Sequence, residues 1–249
     1  MKNNLKILIG VVFYNEADKI RFLLEKFKRF HLNFSYKILF LNDGSTDNSV
    51  KVIKIFLKKN YIKNAKIISH TSNRGVGSAI RSVINFGLSN NFDICVIMAG
   101  NGKDTPLEIP LLLSPIINDN FDYVQGSRFL KGGSFKNLPI LRKIMILGFT
   151  LFMRIFIGFK FTDSTNGFRA YKLSIFKDRR INIDQNWLNS YELEVYLHYK
   201  VITLGYKVKE VPISKDYLAN VKNYSKIRPI IDWWKFAKPV FLLKLKLKN

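Results

Sequence analysis

Apolar residues keep two rhythms along the first half of the chain. Leu5–Phe13 and Ile94–Met98 are continuous apolar runs of strand length, while Glu16–Phe30 sets Ile20, Leu23, Leu24 and Phe27 three or four residues apart, on one face of a helix. The alternation repeats: a strand at Tyr36–Leu41, a helix at Val50–Leu57 with Val52, Ile53 and Phe56 inward, and a strand at Ala65–Ser69. "NRGVGSAIRSVINFG" then reads as a glycine-rich turn opening a helix. Continuous apolar strands separated by helices predict an α/β fold, a mostly parallel central sheet flanked by helices on both faces. The second half is less regular. It offers a short strand at Tyr123–Gln125, an amphipathic or groove-lining helix within Leu141–Phe161, a helix at Tyr191–Leu204 and a strand in "GYKVKEVPI", ended by Pro212.

Each early strand runs out into small and polar residues: "FYNE", "NDGSTD", "NRG" and "AGNGKD" in turn. Open parallel sheets bind ligands at the carboxyl ends of their strands, so the four motifs are expected to converge on one crevice.

Composition narrows the partners. There are 41 basic residues against 18 acidic ones, a formal net charge of +23, and such a surface attracts anionic partners. The chain carries no finger, helix-turn-helix or RNA-recognition signature, so nucleic acid is not expected. Cys95 stands alone in an apolar strand and reads as a core residue, and His31, His70 and His198 lack zinc-ligand spacing. The start, "MKNNLKILIGVVFYNEA", reads as a buried strand rather than a signal peptide. No window reaches the roughly 20 apolar residues of a membrane span, because Arg142, Lys143, Arg154 and Lys160 interrupt the longest candidate. From Lys215 onward the chain holds nine Lys or Arg and two Asp, with Trp233 and Trp234. That mixture suits a membrane interface, or equally a packed helix with a solvated basic face.

Several residues suggest chemistry. Asp43 can accept hydrogen bonds from a nucleobase or ribose, or can serve an Asx-turn, with Ser45 or Thr46 capping the next helix. "NRGVGSAI" looks like a phosphate loop at a helix N-terminus, with Arg74 beside it. Its glycine spacing and its place after the third strand are not those of a dinucleotide fingerprint. Arg128, Arg142 and Arg169 present planar guanidinium groups suited to phosphate oxygens, although Arg169 can instead brace its own loop.

Together these residues resemble the inverting nucleotide-sugar glycosyltransferases of family two, with the GT-A fold, and within them the dolichyl-phosphate mannose synthase-like branch. The pattern P-x-Y-N-E appears as "VFYNE" (Val12–Glu16), without the proline, and D-D-G-S-x-D as "NDGSTD" (Asn42–Asp47). N-x-G-x-G-x-A appears as "NRGVGSA" (Asn73–Ala79). G-S-R-F at Gly126–Phe129, D-x-x-x-G-F-R-A at Asp163–Ala170 and E-V-P-I at Glu210–Ile213 are intact. The resemblance implies a GT-A domain over 1–214 and a basic, aromatic, membrane-interfacial tail over 215–249. It implies that Val12, Tyr14, Glu16, Asp43, Arg74, Gly75 and Asn101 bind the nucleotide sugar, GDP- or UDP-linked. Arg128 and Arg142 would grip an acceptor phosphate, and Asp163, with Arg128, would act at the reaction centre.

One motif departs from the family. Its fourth strand ends M-D-A-D, two acids that hold Mg²⁺ or Mn²⁺ against the diphosphate, whereas this chain reads M-A-G-N, with Ala99 and Asn101 in their places. Asn101 and Asp104 are the remaining candidate metal ligands, and Lys103 is a candidate substitute for the metal's charge. The expected reaction moves a hexose from a nucleotide sugar to an acceptor, polyprenyl phosphate foremost, with inversion, by a protein peripheral on the cytoplasmic face of the membrane. A transferase acting on a soluble or cell-surface glycan, with Asp163 as base, is the alternative. A non-catalytic nucleotide-sugar-binding protein is the other.

Overall fold

The computed structural model describes residues 4–60, 62–217 and 231–248. Four βα units open the chain: β1 (Lys6–Phe13), α1 (Ala17–Phe27), β2 (Ser35–Asn42), α2 (Ser49–Lys59), β3 (Ala65–Ser69), α3 (Val76–Ser89), β4 (Ile94–Ala99) and α4 (Ile109–Asn118). After β5 (Tyr123–Ser127) come the short β6 (Ser134–Lys136), the long α5 (Ile140–Ile157) and β7 (Arg169–Lys172). Then follow α6 (Glu192–Thr203), β8 (Val208–Pro212), β9 (Ser214–Asp216) and α7 (Ile231–Lys244).

Seven strands form one sheet in the order β3-β2-β1-β4-β7-β5-β8. β1 to β4 are parallel, and their register brings Phe13 opposite Asn42 and Val12 opposite Ala99. The three loops that follow therefore emerge together at one rim. β7 runs antiparallel between β4 and β5, with Arg169 opposite both Ile97 and Gln125. An antiparallel strand starts where its parallel neighbours end, so the segment before β7, Asp163–Phe168, joins the same rim. Sequence reading placed no strand here, because four residues, two of them basic, carry no apolar alternation.

Side chains of β1 alternate between the two layers, as a pleated strand requires. Ile7, Ile9, Val11 and Phe13 pack with Ile20, Leu23, Leu24 and Phe27 of α1 and with α4, while Leu8 and Val12 meet α3 and α6. A third cluster joins α5, α6 and α7 through Phe149, Met153, Val195, Phe236 and Val240. A second, two-stranded sheet pairs β6 with β9 in parallel. The boundary expected at residue 214 lies within β9, which pairs with β6. The rest of the expected tail lies outside the described residues until α7.

Candidate active site

The first two rim loops are stitched together by their own motif residues. The Asn15 amide donates to Ser45 Oγ (2.9 Å), the Glu16 amide to Ser49 Oγ (2.9 Å) and the Ala17 amide to Asp47 Oδ2 (2.9 Å). These bonds satisfy the orphan amides entering α1. Ser45 and Thr46 do not cap α2, whose N-cap is Asn48. Tyr14 and Glu16 are left lining the cavity above, with Val12 behind them, and Lys19 lies 2.9 Å from the Glu16 carboxylate.

Asp43 also lines that cavity, but its carboxylate is occupied. Oδ1 accepts from His70 Nδ1 (2.7 Å) and from the Arg74 amide (3.0 Å), and Oδ2 accepts from the Gly75 amide (2.9 Å). A carboxylate only accepts, so the His70 proton sits on Nδ1, and Nε2 lies 2.9 Å from Ser82 Oγ on α3. Arg74 therefore reaches the site through its backbone. Its side chain, expected among the nucleotide-sugar-binding residues, is exposed and stands apart from the cavity wall.

Gly75 and Gly77 let this turn touch the chain before α6. The Ser78 amide donates to the Asn189 carbonyl (3.1 Å). A Cβ on Gly77 would lie 2.2 Å from the Leu188 oxygen and 2.4 Å from that of Ser190. Gly77→Ala is expected to lower stability by about 1–3 kcal/mol, the usual cost of overpacking against backbone that cannot yield. A urea melt checks this, since an unchanged midpoint would mean the two segments separate freely.

The loop after β4 is the one that lacks the two acids of the family pattern. Ala99 offers no ligand, and the Asn101 Oδ1 accepts from the Lys103 amide (3.2 Å). Asp104 is buried, with Oδ1 3.0 Å from the Lys215 ammonium in an ion pair, and Oδ2 has no hydrogen-bond partner. Neither Asp104 oxygen accepts a hydrogen bond, so the carboxylate is open to a cation. However, Lys26, Lys103 and Lys215 all act on the same carboxylate, and no cluster of three His, Cys, Asp or Glu that could hold a metal ion occurs among the described residues. A divalent ion needs hard anionic oxygens, and the charge of this one carboxylate is already met by three ammonium groups. The donor set of Asn101 and Asp104 does not fit a metal.

Lys103 lines the cavity, almost wholly buried. Burial pushes its ammonium down to about 7, with Arg142 and Lys215 adding to the effect and Asp104 and Glu16 opposing it. Lys26 pins the loop beneath by donating to the Gly102 (3.0 Å) and Asp104 (3.1 Å) carbonyls.

On the far side, Arg128 and Asp163 form a buried bidentate pair. Arg128 Nε donates to Oδ2 and Nη2 to Oδ1, each at 2.6 Å, and the Arg128 amide adds a bond to Oδ2 (3.1 Å). Nη2 also reaches Thr165 (2.9 Å) and Nη1 the Tyr217 hydroxyl. One of the five guanidinium N–H groups is left, and Arg128 faces the cavity. Asp163 does not. It stands behind Arg128 at 0% exposure, a positioning residue rather than a group facing the reaction centre. The Glu210 carboxylate takes the amides of Thr162 (2.7 Å) and Asp163 (3.0 Å). Arg169 braces the turn by donating to the carbonyls of Asn166 (2.6 Å) and Glu194 (2.9 Å).

These elements enclose a cavity of about 730 Å³. Arg142 enters it from α5, and Trp233 and Phe236 from α7. Lys215 and Tyr217 were absent from the sequence-based site. The signal available was the period-2 continuation Val211, Ile213, Lys215, Tyr217 past Pro212. His70 was discounted for want of ligand spacing, a criterion blind to a bracing role.

The family model for Glycosyl transferase family 2 matches residues 8–180. The chain belongs to that family. This glycosyltransferase is 31% identical over 182 residues to the UDP-N-acetylglucosamine–dolichyl-phosphate N-acetylglucosaminyltransferase of Methanococcus voltae, covering 69% of this chain and 71% of that one. It is 32% identical over 148 residues to the undecaprenyl-phosphate mannosyltransferase of Micrococcus luteus, covering 59% of each. Among solved structures, glucosyl-3-phosphoglycerate synthase from Mycobacterium tuberculosis, in complex with Mn²⁺, UDP and glucosyl-3-phosphoglycerate, superposes with a TM-score of 0.67. At 14% identity, covering 98% of the glycosyltransferase described here and 81% of the synthase, that likeness concerns the fold. The GT-A fold expected from the motifs is the fold found.

Proposed function

We propose that this glycosyltransferase moves a hexose from a nucleotide sugar to polyprenyl phosphate at the membrane surface, with inversion. The observation that carries the reading is the meeting of a basic cavity wall with an exposed apolar helix face. Leu141, Ile144, Leu147, Leu151 and Ile155 are all exposed on α5, at helical spacing. Leu141 and Arg142 belong both to that helix and to the cavity wall. Exposed Lys160, Lys244, Lys246 and Lys248 lie at the ends of α5 and α7. Apolar and cationic groups together suit an interfacial helix on the anionic cytoplasmic leaflet. No helix among the described residues is long and apolar enough to cross a membrane, which is consistent with peripheral attachment. The relatives named for dolichyl and undecaprenyl phosphate support the choice of acceptor.

In this reading the donor lies along the rim formed by the loops after β1 to β4, with its diphosphate toward Lys103. The acceptor phosphate sits between Arg128 and Arg142. An acceptor oxygen attacks the anomeric carbon from the face opposite the diphosphate. The new carbon–oxygen bond forms as the bond to the diphosphate breaks, and the nucleoside diphosphate leaves with its electron pair. A phosphate monoester with a second pKa of about 6 is largely ionised at neutral pH, so no general base is required. That agrees with Asp163 being committed to Arg128.

The test supplies labelled UDP- and GDP-sugars with polyprenyl phosphate in vesicles containing anionic lipid. Label is expected in the lipid phase, and Ile144→Glu with Ile155→Glu is expected to reduce vesicle co-sedimentation at least tenfold. Label passing only to water-soluble glycan, or membrane binding indifferent to both substitutions, would count against the reading.

A further inference from the structure

Tyr217 is the centre of an arrangement that the transferase reading leaves unexplained. Its ring has the Lys103 ammonium 5.0 Å and the Arg142 guanidinium 5.6 Å from its centroid, and its hydroxyl accepts from Arg128. Three cations thus gather on one tyrosine that is itself buried. Lys215 joins them from β9, and Lys103 is held lower first by its burial and then by the fields of Arg142 and Lys215. The cavity wall carries six basic side chains and four acidic ones. The acids are already answered. Glu16 pairs with Lys19, Asp104 with Lys215 and Glu194 with Arg169, while Asp43 holds His70 and two amides. Like charges brought together out of water repel and lose hydration. A fold that gathers them beside a cavity is built for an anion.

The position of the cluster identifies the anion. Lys103 follows β4 by four residues, on the loop where related enzymes carry the acids that hold a metal, and here that loop supplies no fitting donor set. The backbone fixes the lysine in place: its amide donates to Asn101, its carbonyl accepts from the Asp216 amide (3.0 Å), and Lys26 ties the carbonyls on either side. We propose that the nucleoside diphosphate is bound without a divalent cation, the Lys103 ammonium neutralising it at the end of β4 and Lys215 completing the clamp, while Arg142 stays with the acceptor phosphate. This rests on the reading of the cavity as a nucleotide-sugar site and specifies how the charge of that donor is met. A protein ammonium placed this way stabilises the departing diphosphate as a metal would, by charge held in a site shielded from water. Lysine also acts as a point charge, suited to an oxygen cluster without fixed geometry.

Calorimetric titration of the full chain with UDP and with GDP, each in EDTA and in Mn²⁺, tests this. The nucleotide that binds is expected to do so with a dissociation constant that changes less than about threefold between EDTA and Mn²⁺. Lys103→Gln is expected to weaken binding in EDTA by about ten- to a hundredfold, the loss of one charge-assisted contact. Lys103→Arg is expected to recover most of it. The wild-type comparison does not depend on any variant folding. Electron paramagnetic resonance of Mn²⁺ with the nucleotide-loaded protein should report only the ion's free and nucleotide-bound forms. Binding seen only with Mn²⁺, or a Lys103→Gln affinity equal to wild type, would overturn the metal-free clamp while leaving the transferase reading intact. Failure of both nucleotides to bind under any condition would overturn both.

Discussion

Asp163→Ala is expected to lower stability by about 3–5 kcal/mol, because it leaves the Arg128 guanidinium buried and unpaired. Asp163 is wholly buried and Arg128 is 3% exposed, so water cannot take over the lost charge. Arg128 would swing from Tyr217 and Thr165, and transfer should fall at least a hundredfold through misplacement of the group meant for the acceptor. Loss of stability and loss of function can be separated. Arg128→Met with Asp163→Leu replaces the pair by apolar groups of similar volume, an exchange that is often neutral for stability. The double variant is expected to melt near wild type and still to be inactive. If it retained transfer, Arg128 would be no more than scaffold. If Asp163→Ala melted normally, the buried pair would have been exposed to solvent in solution.

Asp43→Ala is expected to cost about 2–4 kcal/mol and to weaken nucleotide binding at least tenfold. The three groups it strands are the His70 Nδ1–H and the amides of Arg74 and Gly75, part-buried donors whose loss is shared with water and so costs less than the full penalty of a buried one, about 1–3 kcal/mol each. The turn they anchor leads into α3, whose first residue, Val76, lines the cavity. Asp43→Asn is a sharper probe of the same idea. The amide keeps one acceptor and presents a donor to groups that also donate, so it is expected to be nearly as damaging as alanine. Calorimetry and thermal melts read both. Wild-type affinity in a destabilised Asp43→Ala would mean that the loops bind nucleotide without this brace.

The first half of the fold was legible because β1, β2 and β4 are long, apolar and buried on both faces, so that composition alone marks them. The rim was legible for the same reason: strand ends are where apolar runs stop. Side-chain direction was not legible. Spacing could put Asp163 near Arg128 but could not say which of them stands in front, since that depends on Gln125 and Glu210 fixing the turn from behind. The pairing of β6 with β9 joins segments far apart in sequence and three residues long. Such strands owe their existence to tertiary contacts, which is why Lys215 and Tyr217 were read as tail. The motif that departed from its family was the most informative stretch, because an absent carboxylate raised the question of charge to which Lys103 is the proposed answer.

The place of β7 in the sheet has a practical consequence for recombining relatives. Because it is wedged between β4 and β5, the segment that positions Arg128 shares backbone hydrogen bonds with the strand that delivers Lys103. A chimaera that takes its donor half from one parent and its acceptor half from another therefore cannot be cut between residues 101 and 163 without remaking the β4–β7 ladder, and a cut after β5 remakes the pairings of β5 with β7 and β8 as well. Exchanging 94–104 and 163–172 as a linked pair respects that seam, whereas either block moved alone leaves mismatched neighbours at the centre of the graft.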